Sequence, residues 1–494
     1  MTAALAALAL AAGPALAVPD QQSIELGLRL KQLEARLAEP AAHDLSVAAL
    51  IAESGLGAVV TPDTAAAARR AEPAPFAAAT EVQRMNMRLS LTMLSQAYGA
   101  EDNADILAAQ PAPDTEALVL REGRVTLDEL RRVLQDNRMQ RVALSGPLLL
   151  QVPLVIWSGA SLHLRPGEVL EISRPAGAFI VNFGHLDVQG ATIASAGDAN
   201  PKSPDFIPFV TSADGGTVQM QGGRITGLGF GNTLKFAGFS ILQGALRGTG
   251  RESWVEGSTF DDVKSVVVGA ASDVALRGNH FRDMRSRALI LSRSRDAMVV
   301  SNLFSGVMPA NAIVVEEGSV GATIAGNIVL SGDRAGIVVR NRSNGARISH
   351  NIVWHRKGGG ISLAKSDCGQ LFENLIIDNG QKGIEVRASL GAQVRENTVL
   401  GNHSAGIWVS AQPKGAETLL SGNVLAGNGS GLSAAIGEHI RLEGNDFSGQ
   451  FPQFLSGDLS PQTALIAADL QGASPFVLTA GGKVVADAAP SACE

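Results

Sequence analysis

Charged side chains recur on one beat in the middle of this chain. Arg293, Glu316 with Glu317, Arg340 with Arg342, Lys365 and Arg387 each stand three to five residues after a short apolar opener, at Leu289, Ile313, Ile337, Ile361 and Ile384. Arginine forks hold carboxylates through paired hydrogen bonds. A lysine crowded by other cations can lose its proton and act as a base. Two neighbouring acids are what glycoside hydrolysis needs. Lys365, Glu316, Glu317 and Arg293 are therefore the candidate catalytic residues, and Arg340, Arg342 and Arg387 the candidate binding residues. Trp408 joins the binding set, because an outward indole in Ile407-Trp408-Val409 can stack on a sugar ring. The competing reading is that outward strand residues are charged only for solubility. Other bases are scarce. The single tyrosine, Tyr98, lies far from these residues, and His280, His350, His355 and His403 fall at turns, where solvated or capping roles are usual.

The beat belongs to a longer repeat. Asparagines at 279, 302, 327, 351, 374, 397, 423 and 445 are spaced by 22 to 26 residues. That interval is too short for a strand, a crossover helix and a return strand, which needs roughly 30 residues. Each repeat must then be one coil of a solenoid. In Ile337-Val338-Val339-Arg340, Ile337 and Val339 point one way and their neighbours the other. Coils would stack at about 4.8 Å, with the asparagine amides forming a ladder at one turn. A leucine-rich repeat has a similar period, but its Leu-x-Leu framework is missing from Val-Val-Ser-Asn302 and Ile-Ser-His-Asn351. The expected fold is an all-β solenoid, a right-handed single-stranded parallel β-helix, with a helical N-terminal region.

Fifty-five glycines suit the tight turns of such coils. The expected division is a signal peptide over 1–17, a helical region and cap over 18–140, the β-helix over 141–450 and a tail over 451–494. Thr126-Leu127-Asp128-Glu129 reads as a capping box that starts a helix. Ala15-Leu16-Ala17 ends an apolar stretch as an Ala-x-Ala cleavage site, which predicts export to the periplasm, although no basic residue precedes it. An alanine-rich helix is the alternative. Cys368 and Cys493 could pair in that compartment or Cys368 could stay buried and free; spacing does not decide.

A formal charge of −7 argues against a nucleic-acid partner. Residues 282–415 nevertheless hold 16 Arg and Lys against 10 Asp and Glu, a basic island on an acidic protein. A stacked column of such cations suits a long polyanion. The acids and histidines lack clustered ligand spacing, so neither a metal nor another cofactor is read from them. Beyond the signal, no segment is apolar and long enough to span a membrane.

From Leu162 to about Asn445 the chain resembles the periplasmic mannuronan C5-epimerases of alginate-producing bacteria. The resemblance rests on Ala176-Gly177-Ala178-Phe179-Ile180-Val181-Asn182, on Phe206-Ile207-Pro208-Phe209 followed by Gly215-Gly216-Thr217-Val218, on Trp254 to Asp262, and on Ser272 to Asn279. It implies a β-helix acting on a uronate polymer. One departure matters. After the segment matching Asn279-His280-Phe281-Arg282-Asp283, the family carries Asp-Pro-His-Asp-Arg-Ser, whose histidine is taken as the base. Here the strand reads Ala288-Leu289-Ile290-Leu291-Ser292-Arg293-Ser294, with Ser292 or its neighbour in the histidine's place. A family arginine one coil later corresponds to Glu317, while Arg387 keeps its character.

Three functions remain open: an acidic-polysaccharide C5-epimerase or lyase, a silent relative that binds and guides an exopolysaccharide, and a glycoside hydrolase. The implied partners are an acidic polysaccharide and an exopolysaccharide secretion complex, with the chain itself expected to be a monomer.

Overall fold

A computed structural model of the chain describes residues 19–57, 79–98, 103–243, 252–479 and Cys493. The expected export segment lies outside them. The repeats fold as a parallel β-helix whose short strands form three faces. Sheet 1 runs from Ile180–Asn182 to Leu455–Gly457 and includes Leu289–Ser292, Ile313–Glu316, Ile337–Arg340, Ile361–Ala364, Ile384–Arg387 and Ala405–Ser410. Sheet 2 runs from His185–Gln189 to His439–Glu443, and sheet 3 holds 12 strands from Leu148–Leu150 to Val424–Ala426.

Register follows the apolar alternation. Leu289, Ile313, Ile337, Ile361, Ile384 and Ile407 stack in line from coil to coil, and each is at most 1% exposed. A shift of one residue would turn this whole column to solvent, so burial enforces the register. On another inner wall Phe260, Phe281 and Phe304 stack with centroids 5.2 and 4.6 Å apart.

The asparagine ladder is continuous. From Asn279 to Asn445 each side-chain amide donates to the Oδ1 of the next at 2.8–3.0 Å. That same Oδ1 also accepts the backbone N–H of the preceding asparagine, as Asn374 does for Asn351 at 3.1 Å. A second ladder, Asn379–Asn402–Asn428–Gln450, runs along another turn. Asn374 is 1% exposed, and its amide donates both to Asn397 and to the Ile348 carbonyl. Asn374→Asp would put a carboxylate against these two acceptors, so we expect a loss of about 2–4 kcal/mol, greater than that of Asn374→Ser. Urea unfolding of the two variants checks the order, and an unchanged midpoint for the aspartate variant would contradict it.

The ends of the stack are closed in different ways. Strand Glu116–Thr126 pairs in parallel with Leu154–Leu164. The helix Leu127–Asp136 begins at the Thr126–Glu129 capping box and buries Leu127, Leu130 and Leu134 against the first coils. This hides strand edges that would otherwise pair with other chains. The helices Pro19–Leu37 and Val47–Glu53 lie elsewhere. Leu30, Leu33, Leu37 and Leu50 pack on Leu303, Ile328, Ile352, Trp354 and Leu375, the outer side of sheet 3. At the other end Phe476–Thr479 pairs antiparallel with His439–Glu443. Cys493 is joined to Cys368 by a disulfide with Cα atoms 5.4 Å apart, which ties the end of the chain back to an internal coil. Among the described residues, no helix is long and apolar enough to cross a membrane.

Candidate functional site

The outer side of sheet 1 gathers most of the residues that could do chemistry. Two rows of side chains project from it. Val267, Ile290, Val314, Val338, Ser362, Glu385 and Trp408 form one row, in register from coil to coil. Its first four members are apolar and buried, and Ser362, Glu385 and Trp408 are half-buried. The second row is Gly269, Ser292, Glu316, Arg340, Ala364, Arg387 and Ser410.

Sequence spacing placed the charges in one column, whereas the structure divides them between two. Glu316, Arg340 and Arg387 lie on the strands. Arg293, Glu317, Arg342 and Lys365 occupy the turn beyond, with left-handed φ values of 53°, 58°, 62° and 51°. All four are exposed, as is Arg387. The turn must reverse the chain between sheets 1 and 2, and a left-handed residue does so in one step.

The tightest polar cluster is centred on Glu316. Its carboxylate is 8% exposed and both oxygens are taken. Arg287 Nη1 donates to Oε1 at 2.6 Å, while Arg340 Nε and Nη2 donate to Oε2 at 3.0 and 2.5 Å. Arg287 sits at the turn entering sheet 1, 29 residues before Glu316 in sequence, and spacing after the openers could not find it. The arginine side chains are 29% and 40% exposed, so both keep donors facing outward. Glu316 therefore holds two cations side by side that would otherwise repel. This arrangement fixes the orientation of both guanidinia.

A second cluster lies three coils further on. Lys382 Nζ donates to Glu385 Oε1 at 2.8 Å, and Ser362 Oγ donates to Oε2 at 2.9 Å. The Lys382 ammonium is 4.9 Å from the centroid of the Trp408 ring. Trp408 thus belongs to a polar platform with Lys382, Glu385 and Ser362, three residues that sequence reasoning passed over.

The position of the expected histidine holds no base. Leu291 points into the core and is fully buried, and Ser292 faces outward beside Glu316. Four histidines of the repeats are engaged on other faces: His280 with Ser305 at 2.7 Å, His350 with Glu373 at 2.8 Å, and His355 and His403 with Asp378 at 2.8 and 3.2 Å.

Comparison with known proteins agrees with the resemblance seen in the sequence. A family model described as right-handed beta helix region matches residues 210–353, and one described as periplasmic copper-binding protein (NosD) matches 308–455. The mannuronan C5-epimerase of Pseudomonas putida is 24% identical over 291 residues, which cover 56% of this chain and 56% of that protein. The match thus spans little more than half of the relative's length. The crystal structure of the periplasmic alginate epimerase AlgG superposes with a TM-score of 0.65 at 20% identity, covering 79% of this chain and 95% of that one. A point mutant of the same epimerase gives 0.63 at 19% identity, with 80% and 94% covered. The right-handed β-helix fold and the likeness to the AlgG epimerases follow. Copper is another matter. Within 308–455 three of the four described histidines, His350, His355 and His403, are paired with carboxylates, and Cys368 is in a disulfide. No group of three His, Cys, Asp or Glu side chains among the described residues is placed to hold a metal. These residues do not fit a copper site.

Proposed function

We propose that this chain is an exported protein that modifies an acidic polysaccharide at C5 of its uronate units, bound along the outer side of sheet 1. The observation that carries this reading is the Glu316 clamp, which presents Arg287 and Arg340 outward as a preformed pair of carboxylate receptors. Removing a proton from C5 is difficult because charge builds on the adjacent carboxylate, and prepositioned guanidinia lower that cost. The exposed Arg293, Arg342, Lys365 and Arg387 would guide neighbouring sugar units, and Trp408 with Ser362 and Glu385 would receive a ring three coils away. Likeness to the mannuronan C5-epimerase supports a uronate polymer as substrate. Periplasmic placement is supported by the Ala15-Leu16-Ala17 motif and by the disulfide, a bond that persists in oxidising compartments.

A second reading is favoured by the strand Leu289–Ser292, where Ser292 or its neighbour stands in the place of the resembled family's histidine: a protein that binds and guides the polymer without altering it. Incubation with polymannuronate and other uronate polymers separates the readings. Epimerisation keeps chain length, elimination creates an unsaturated end that absorbs in the ultraviolet, and hydrolysis creates reducing ends. Salt-sensitive binding with none of these products would establish the guide. Absence of binding as well would remove both readings.

A further inference from the structure

The site as described lacks a group to take the C5 proton. Lys264 stands at the entrance to strand Ser265–Gly269 of sheet 1, one coil before the strand that carries Ser292. Val266 pairs with Leu289, so Lys264 and Arg287, each two residues earlier, occupy the same place on adjacent coils. From Lys264 the polar edge continues through Arg287 to Glu316 and Arg340. The Lys264 backbone N–H donates to the Leu228 carbonyl at 2.9 Å, which fixes the root of the side chain. Its neighbour Arg285 is spent on the Leu228 and Gly229 carbonyls and on Asp262.

We propose that Lys264 is the base that removes the C5 proton of a uronate held by Arg287 and Arg340; the assignment rests on the function proposed above. Three facts distinguish it from Lys382 and Lys365, two other lysines near sheet 1. Lys382 is engaged by Glu385 at 2.8 Å and lies against the Trp408 ring. Lys365 is exposed at the turn on the opposite edge. Lys264 is half-buried and makes no ion pair among the described residues. Burial, and then the Arg285 and Arg287 cations beside it, hold its ammonium below the ordinary lysine range. Asp262, the nearest acid on its own turn, is committed to Arg285.

In the proposed step the neutral Lys264 amine takes the C5 proton. The C–H electron pair passes into the carboxylate as an enediolate, whose charge Arg287 and Arg340 share. Water then returns a proton to C5, and Lys264 releases its own to solvent. Return from the opposite face gives the epimer.

The test compares wild type, Lys264→Ala and Lys264→Arg on a uronate polymer, following loss of the C5 proton signal in D2O. Both variants should lose on the order of 10²- to 10⁴-fold in turnover. Lys264→Arg should keep the fold and still bind the polyanion, because a long basic side chain is kept, while a guanidinium that stays protonated cannot take the proton. Added methylamine should restore part of the Lys264→Ala activity, a response that a structural role would not give. Wild-type turnover should rise with pH through the lysine's titration, and this limb should vanish in Lys264→Arg. An active wild type with an unimpaired Lys264→Arg, or an impaired Lys264→Ala that no amine restores, overturns the assignment and leaves the proposed function standing. A wild type inactive on every uronate polymer overturns both.

Discussion

Glu316→Gln is expected to lower turnover on a uronate polymer by on the order of 10²-fold while the coil stack stays folded. The substitution keeps the shape of the side chain and removes half of its function. An amide offers one acceptor oxygen, whereas the carboxylate serves Arg287 through Oε1 and Arg340 through Oε2. The amide NH2 would face one guanidinium, donor against donor, and that arginine would swing away. The two cations would also lose the charge that offsets their repulsion. Because both arginines remain partly exposed, the stability cost should be about 1–2 kcal/mol, below the range for fully buried pairs. Kinetics of Glu316→Gln, Arg340→Ala and the double variant provide the check. Residues acting as one unit are strongly non-additive, so the double variant should be little worse than the more damaging single one. Full activity in Glu316→Gln, or simple additivity, would remove the clamp from the chemistry.

Arg356→Met should be the most destabilising single change in the repeats, costing about 3–5 kcal/mol. Arg356 is 1% exposed, and it is satisfied by backbone rather than by an acid. Nε donates to the Arg334 carbonyl at 2.8 Å, Nη1 to Leu330 and Ser331 at 3.2 and 3.0 Å, and Nη2 to Ala310 at 2.8 Å. One side chain thus gathers the turn carbonyls of two preceding coils, and methionine would leave them without donors. Gly332 packs so closely that a Cβ there would collide with the guanidinium, which is why that turn needs a glycine. Burial holds the Arg356 guanidinium down to about 10. Its folded value lies below the unfolded one, so its contribution to stability rises with pH only between about 10 and the ordinary arginine value. Between pH 5 and 8 the group is charged in both states and gives no slope. Urea unfolding of wild type and Arg356→Met at pH 7 measures the loss; a midpoint within error of wild type would contradict the account.

The repeat was legible because it depends on local rules. Alternation sends Ile337 and Val339 inward, and each asparagine meets its counterpart one period away. The same rules could not reveal Arg287, which lies outside the window after the opener, or Lys264, one coil earlier at the same place. Both precede a strand, and comparing residues just before the openers would have paired them. Leu30, Leu33 and Leu37 announced an apolar helix face, but nothing in their spacing said that the outer side of sheet 3 would cover it. The disulfide was equally out of reach, since its cysteines are 125 residues apart. Arg356 resembled any surface arginine, because four carbonyl acceptors leave no mark in a sequence.

Proton NMR of polymannuronate incubated with the protein in D2O tests the central claim most directly. Both epimerisation and elimination begin by breaking the C5–H bond, so the account predicts deuterium at C5, or loss of that position to an unsaturated end, catalysed by wild type and suppressed in Glu316→Gln. A C5 signal that stays intact on polymannuronate and on other uronate polymers, under conditions where the protein is folded and binds them, would contradict it.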